Sequence, residues 1–291
     1  MKQHGFEVSD EEQLELFLNS ANYYRFSAYF LPFRDYSKKP NITLPIALYE
    51  FDKAIRAWLY DIIGDIEYYT KTQIAYYLAH NIGAEAHLDE NIYNSKHNHP
   101  LFLDKHNKVL QENKNTLVIK HHQKKYENHF PIWVIIEFYS VGMISFLYSD
   151  LATTHQKKIA NLCFNTGRRQ LSSWLRVLTE LRNKCAHYTR FYYWSFRSIP
   201  RNNNDNIWKT DNTLFSQIYC LSKLYTDKNT WHKKLVNLDT ILEIYKNSVV
   251  LEHIGFPENW RSILNNYPSL FCIPDDTSLP TLHCFDCDKD I

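Results

Sequence analysis

Residues 180–194 read ELRNKCAHYTRFYYW and bring Arg182, Asn183, His187 and Arg190 within about two and a half turns of a helix. An imidazole can take a proton from a ribose 2′-hydroxyl, or deliver one to a leaving 5′-oxygen, near neutral pH. A guanidinium can hold the phosphate between them by two parallel hydrogen bonds. Asn183, one turn before His187, can orient either the imidazole or the phosphate. Together these are the parts of a ribonuclease that uses no metal and no cofactor.

On a helical wheel with Arg182 at zero, Ala186 falls near 40°, Arg190 near 80°, Asn183 near 100°, Arg176 near 120° and His187 near 140°. Val177, Leu178, Leu181, Cys185 and Tyr188 fill the opposite side, so the segment predicts a helix over about 168–194 with one cationic and one apolar face. A lone histidine on a helix is usually a surface or core residue, and a basic stripe is usually a solvated face. This stripe carries more charge than that. The net charge of the chain is only +1, yet residues 168–201 hold seven arginines and Lys184 against the single acid Glu180. Such a cluster repels itself unless an anion binds, which points to a phosphate-bearing partner, RNA. Arg168, Arg169, Arg176, Arg190 and Arg197 are its candidate phosphate contacts. The following RFYYWSFR adds rings on which unpaired bases can stack, although in a chain with 15% aromatic residues most rings are expected in the core.

The elements that must position these groups read as helices. Six glycines in 291 residues, and no run of strand alternation between turn signals, argue against sheets. The longest candidate follows Pro45, where Leu48, Phe51, Ile55, Leu59, Ile62, Ile66 and Tyr69 recur at three- and four-residue steps up to a stop at Gly83. Before it, a helix entered at Ser9 with Glu12 at capping-box distance precedes a short one that Pro32 interrupts. Residues 84–129 read as a loop with one helix near 101–125. FPIWVIIEFYSVGMISFLYSDL reads as a buried helix or helix pair articulated at Gly142. PRNNNDN at 200–206 is the clearest breaker, and weaker helical patterns resume from 208. The division expected is a motif-bearing helical domain at 1–202 and a helical extension with an irregular, acidic tail at 203–291.

Hydrophobic residues make up 44% of the chain, ample for a core, and no apolar run approaches the ~20 residues of a membrane span. The opening MKQHGFEVSDEEQ lacks the pattern of an export signal, so a cytoplasmic protein with reduced cysteines and no membrane association is expected. His283, Cys284 and Cys287 in HCFDC have C-x-x-C spacing, but no second pair completes a zinc site, and no metal is expected.

RNKCAH resembles the R-x4-6-H motif of the HEPN superfamily, with four intervening residues and Asn after the Arg. NYYRFSAYFLPFR (22–34), LYEFDKAIRAWLYDIIGDIE (48–67), FPIWVIIEFYSVGMISFLY (130–148) and LRNKCAHYTRFYY (181–193) resemble, in order and spacing, the bacterial abortive-infection (Abi) family of the AbiD/AbiF type. Together the blocks span about residues 5–200. The resemblance implies an all-α, HEPN-like helical bundle with additional helices, a phage-defence or toxin role, and endoribonuclease activity. It assigns the catalytic roles to Arg182, Asn183 and His187; Arg190 comes from the wheel alone. It also implies a homodimer whose two motif helices face each other in a composite pocket, and it leaves open an antitoxin, protein or RNA. Arg56 and Glu67 stand on the second block and Arg25 on the first. Arg56 and Glu67 either support the motif from behind or form an ordinary charged pair, and Arg25, set among core rings, is a second candidate support or an RNA or interface contact. The competing expectation is a non-catalytic RNA- or partner-binding module, which has no need for an imidazole at that place.

Overall fold

The computed structural model describes residues 5–37, 40–202 and 207–266. Among them the chain is all-α, with isolated β-bridges at Glu7–Asn41 and Tyr93–Leu151 as its β pairing.

α1 (Glu11–Ser20) is capped by Asp10, whose carboxylate accepts from the Gln13 N–H at 2.9 Å. The expected cap, Ser9, lies one residue earlier and accepts from Asn41 instead. α2 (Tyr23–Ser27) runs into a 3-10 turn, Ala28–Phe33, that contains Pro32. The long helix α3 (Thr43–Asn81) is the spine. At 1.5 Å per residue it is about 58 Å long. Pro45 sits in its first turn, where a missing N–H costs nothing. Leu48, Phe51, Ile55, Leu59, Ile62 and Ile66 are all buried, so the sequence stripe is the buried stripe. Each such side chain contributes roughly 1.5–3 kcal/mol. Against the spine pack helices at Ile132–Ile135, Thr153–Phe164, Arg168–Ala186, Leu214–Leu224 and Lys228–Ile244.

The region expected to hold one helix holds two, α4 (His99–Glu112) and α5 (Leu117–Lys125), because Asn113–Thr116 turn the chain and the Thr116 hydroxyl caps the second. The apolar run forms α6 (Ile132–Ile135), a 3-10 turn, and α7 (Val141–Asp150). Their joint is at Tyr139–Ser140, since Ser140 accepts from the Met143 N–H, and Gly142 lies inside the first turn of α7. α8 (Thr153–Phe164), a helix not anticipated from the sequence, ends at Asn165 in the left-handed region.

α9 (Arg168–Ala186) packs on α7, α3, α8 and α10 through Leu171, Trp174, Leu175, Val177, Leu178, Leu181 and Cys185. Beyond the proposed division, α10 (Leu214–Leu224) is buried along its whole length against α9 and α3, and α11 (Lys228–Ile244) lies on α3; α12 (Trp260–Asn265) closes the described chain. The apolar residues of these helices belong to the same continuous core as those of α3 and α9. Cys163, Cys185 and Cys220 are free thiols. The HCFDC stretch and the expected tail lie outside the described residues.

Candidate active site at the end of α9

The motif helix ends at Ala186, eight residues short of the expected end at 194. His187 is its capping residue, and Tyr188 turns into the left-handed region with φ +53°. The N–H of Tyr188 donates to the Cys185 carbonyl at 3.2 Å and that of Thr189 to the Lys184 carbonyl at 3.0 Å, the paired closure that satisfies last-turn carbonyls. Arg190 therefore does not lie on the helical face, and its wheel position is corrected.

What stops the helix is a competing set of partners for residues 187–192. Arg25 Nη1 donates to the carbonyls of His187 at 3.0 Å and Tyr188 at 3.4 Å. Arg56 Nη1 donates to the Thr189 carbonyl at 3.2 Å, with its guanidinium 5.1 Å from the centre of the Tyr188 ring. The fully buried Asp52 accepts from the N–H groups of Phe191 at 2.7 Å and Tyr192 at 3.0 Å, and from the Tyr29 hydroxyl at 2.7 Å. Arg190 in turn donates to the Ala28 carbonyl. α2, its 3-10 turn and α3 thus clamp the turn that carries His187. The guanidiniums also complement the negative end of the α9 dipole.

Burial pushes the Asp52 carboxyl up to about 6, against the pull of the Tyr29 hydroxyl, the Phe191 and Tyr192 N–H groups and the Arg56 charge. Burial lowers the Arg190 guanidinium, with Asp52 and Tyr29 acting the other way, and raises the Tyr29 hydroxyl well above its ordinary value, with Asp52 adding to the rise.

The outward face is different in kind. Asn183, His187, Arg169 and Arg176 are exposed and Arg182 is half-buried, its Nη1 3.5 Å from Asn183 Oδ1. Among the described residues, no hydrogen bond or ion pair engages the His187 imidazole or the guanidiniums of Arg169 and Arg176. Arg169, Arg176 and Asn183 are spaced by seven residues, two turns, so they form one line along α9 that ends beside His187.

The remaining predicted cations divide. Arg168 is half-buried and donates to Gln156 Oε1 at 3.3 Å. Arg197 is exposed, and its backbone N–H and that of Ser198 are held by the Glu180 carboxylate. Lys184 stands 3.8 Å from Glu180 and 4.0 Å over the Trp194 ring. Part of the local charge is therefore internal scaffolding; Arg169 and Arg176 are the exposed cations of the line along α9, with the half-buried Arg182 beside its end and the exposed Arg197 in the loop beyond. Glu67 is not part of the site. It pairs with Lys71 at 2.9 Å, and Lys71 also donates to the Glu137 carbonyl, toward the other end of α3.

Of the downstream rings, Phe191, Tyr192 and Phe196 are buried, and Tyr188, Tyr193 and Trp194 are exposed. Of the rings from Phe191 to Phe196, only Tyr193 and Trp194 are therefore open to solvent.

Asp52 and Tyr29 escaped the sequence reading. Their signal was a carboxylate set between Phe51 and the apolar stripe, one turn before Arg56. The face is a surface. A cavity of about 360 Å³ lies elsewhere, between α3 and the α10–α11 connection, lined by Gly64, Asp65, Tyr68, Tyr225 and Thr230. Among the described residues no cluster of three or more His, Cys, Asp or Glu side chains is arranged to hold a metal ion, and no helix is long and apolar enough to cross a membrane.

A family model described as Abi-like protein matches residues 16–193. No curated protein and no solved structure matches the chain. The matched span opens in α1, contains α2 and α3, and closes at Tyr193, directly after the clamped turn.

Proposed function

We propose, for a chain that belongs to the Abi-like protein family and so to the proteins of abortive-infection phage defence, that it is a metal-independent endoribonuclease acting in the cytoplasm. The observation that carries this reading is a contrast along α9 and the turn that follows it. Arg168 and Arg190 are bonded into the fold, whereas at the open helix end Arg182 reaches its neighbour Asn183 and, among the described residues, no hydrogen bond or ion pair engages the exposed His187 imidazole. Exposed groups in a rigidly clamped turn are what a reaction at phosphorus requires, because the clamp fixes position while the face admits a large substrate.

In the reaction a ribose 2′-oxygen attacks the adjacent phosphorus and the bond from phosphorus to the 5′-oxygen breaks. The 2′-hydroxyl proton goes to a base, the 5′-oxygen receives a proton from an acid, and the products are a 2′,3′-cyclic phosphate and a 5′-hydroxyl. His187 is the proton carrier. Arg182 holds the non-bridging oxygens and stabilises the charge that develops there. Asn183 orients the phosphate or the ring.

One α9 supplies one imidazole, and the reaction profits from two. A homodimer with the two α9 ends facing across a two-fold axis supplies both, with Tyr193 and Trp194 as apolar flanks and bound phosphate relieving the repulsion. A 2′-deoxy substitution at the scissile nucleotide tests the chemistry: it blocks cleavage if the 2′-oxygen is the nucleophile, and continued cutting contradicts the reading. Mixing His187→Ala chains with Arg182→Ala chains tests the dimer, since in a composite pocket the mixture differs in activity from either parent.

A further inference from the structure

Tyr188 occupies the position after a helix cap where the backbone must be left-handed and where glycine is the usual residue. A tyrosine there carries strain that a glycine lacks. Packing does not recover it, because the ring is 61% exposed. What the ring has is the Arg56 guanidinium over one face, at 5.1 Å, an open outer surface, and His187 as its chain neighbour. Arg56 is itself anchored to the Thr189 carbonyl and is buried, so the ring stands on a fixed support.

We infer that Tyr188 is a base-stacking subsite, taking one unpaired nucleobase of the RNA next to the phosphate that Arg182 holds beside His187. A π face offered to solvent beside cations suits a nucleobase, and stacking tolerates any base, so it selects single-stranded over duplex RNA without selecting sequence. Strain kept at an exposed aromatic residue is the mark of a use other than folding. The inference rests on the RNA-cleaving reading and adds the form of the substrate.

The test uses the full chain in a His187→Ala background, which binds without cutting, with an unstructured oligoribonucleotide and a duplex of the same length as probes. Tyr188→Gly should keep or raise the melting temperature, since the strain is relieved. It should weaken binding of the single strand by roughly 5- to 100-fold, with little change for the duplex. Tyr188→Trp should retain the single-strand affinity. A Tyr188→Gly chain that binds the single strand as before, that weakens both probes equally, or that loses thermal stability overturns the stacking role. If the background chain binds neither probe, the RNA reading falls as well; if it binds and the otherwise wild-type chain cuts while Tyr188→Gly changes nothing, only the stacking inference falls.

Discussion

Arg25 Nη1 lies 3.0 Å from the carbonyl oxygen of His187, 162 positions further along the chain, so the first matched block holds the backbone of the residue proposed to move protons. The contact reaches the main chain and leaves the imidazole free to face outward. On the proposed mechanism Arg25 is a positioning residue, and its effect is expected on catalysis more than on folding.

Arg25→Ala should reduce the rate of RNA cleavage by about tenfold or more while lowering stability by less than about 1 kcal/mol, because its side chain is exposed and its two lost hydrogen bonds are partly replaced by water. The comparison is cleavage rate at saturating RNA beside a urea melt. A large stability loss with unchanged rate in the surviving folded protein would reverse the assignment.

Asp52 is expected to behave in the opposite manner. Asp52→Ala leaves two buried backbone N–H groups and the Tyr29 hydroxyl without their acceptor, and should cost about 3–5 kcal/mol. Asp52→Asn keeps one carbonyl acceptor and should lose less, about 1–3 kcal/mol. Equilibrium denaturation distinguishes the two. Near wild-type stability in Asp52→Ala would show that the clamp is not held there.

The division of the cations predicts two kinds of arginine variant. Removing the exposed Arg176 should leave stability unchanged and make the salt dependence of single-strand RNA affinity shallower by roughly 0.7 in log–log slope. Removing Arg190, which is bonded to the Ala28 carbonyl, should leave that slope unchanged and destabilise the fold by about 1–3 kcal/mol. Salt titrations of binding, paired with melts, check both.

A pH response follows from a histidine far from the site. His87, in the 3-10 turn Ala86–Leu88, is fully buried, neither ring nitrogen has a hydrogen-bond partner among the described residues, and the His106 ring lies 5.4 Å away. Burial, with the His106 charge adding to it, lowers His87 to about 3 from an ordinary 6.5. The unfolded chain then binds a proton that the folded chain refuses, so stability is lost as pH falls below about 6.5. Asp52, raised to about 6 from 3.8, takes up its proton earlier in the folded chain and adds stability as pH falls through 6. Because both chains carry Asp52, comparing wild type with His87→Phe isolates the histidine. The variant should be spared about 2–3 kcal/mol of destabilisation at pH 4.5 relative to pH 7. Parallel stability–pH curves would contradict this.

The helices were legible where one face alone is buried. The stripe from Leu48 to Ile66 reads directly as α3, and the apolar side of 171–185 as α9. Ends were less legible, because they depend on partners distant in sequence. Nothing local in HYTRFYY shows that Arg25, Arg56 and Asp52 take its backbone groups, so the periodic pattern ran on past the real end at Ala186. The same contacts decide which arginines face outward. Composition gave the excess of positive charge, but only the fold separates Arg190, turned inward, from Arg176, turned out. The block bearing Arg25 and the block bearing Asp52 and Arg56 accompany the motif for a physical reason: they build the turn on which His187 stands.

On the proposed mechanism His187 carries the proton in RNA cleavage without a metal. The most direct measurement is incubation of the purified chain with mixed RNA in EDTA beside a His187→Ala chain of matching circular dichroism. The account predicts cutting by the first and none by the second, with Arg182→Ala losing activity comparably and Arg182→Lys recovering only part of it, since an ammonium cannot form the bidentate contact. RNA left intact by the wild-type chain, or cut at the same rate by His187→Ala, would contradict it.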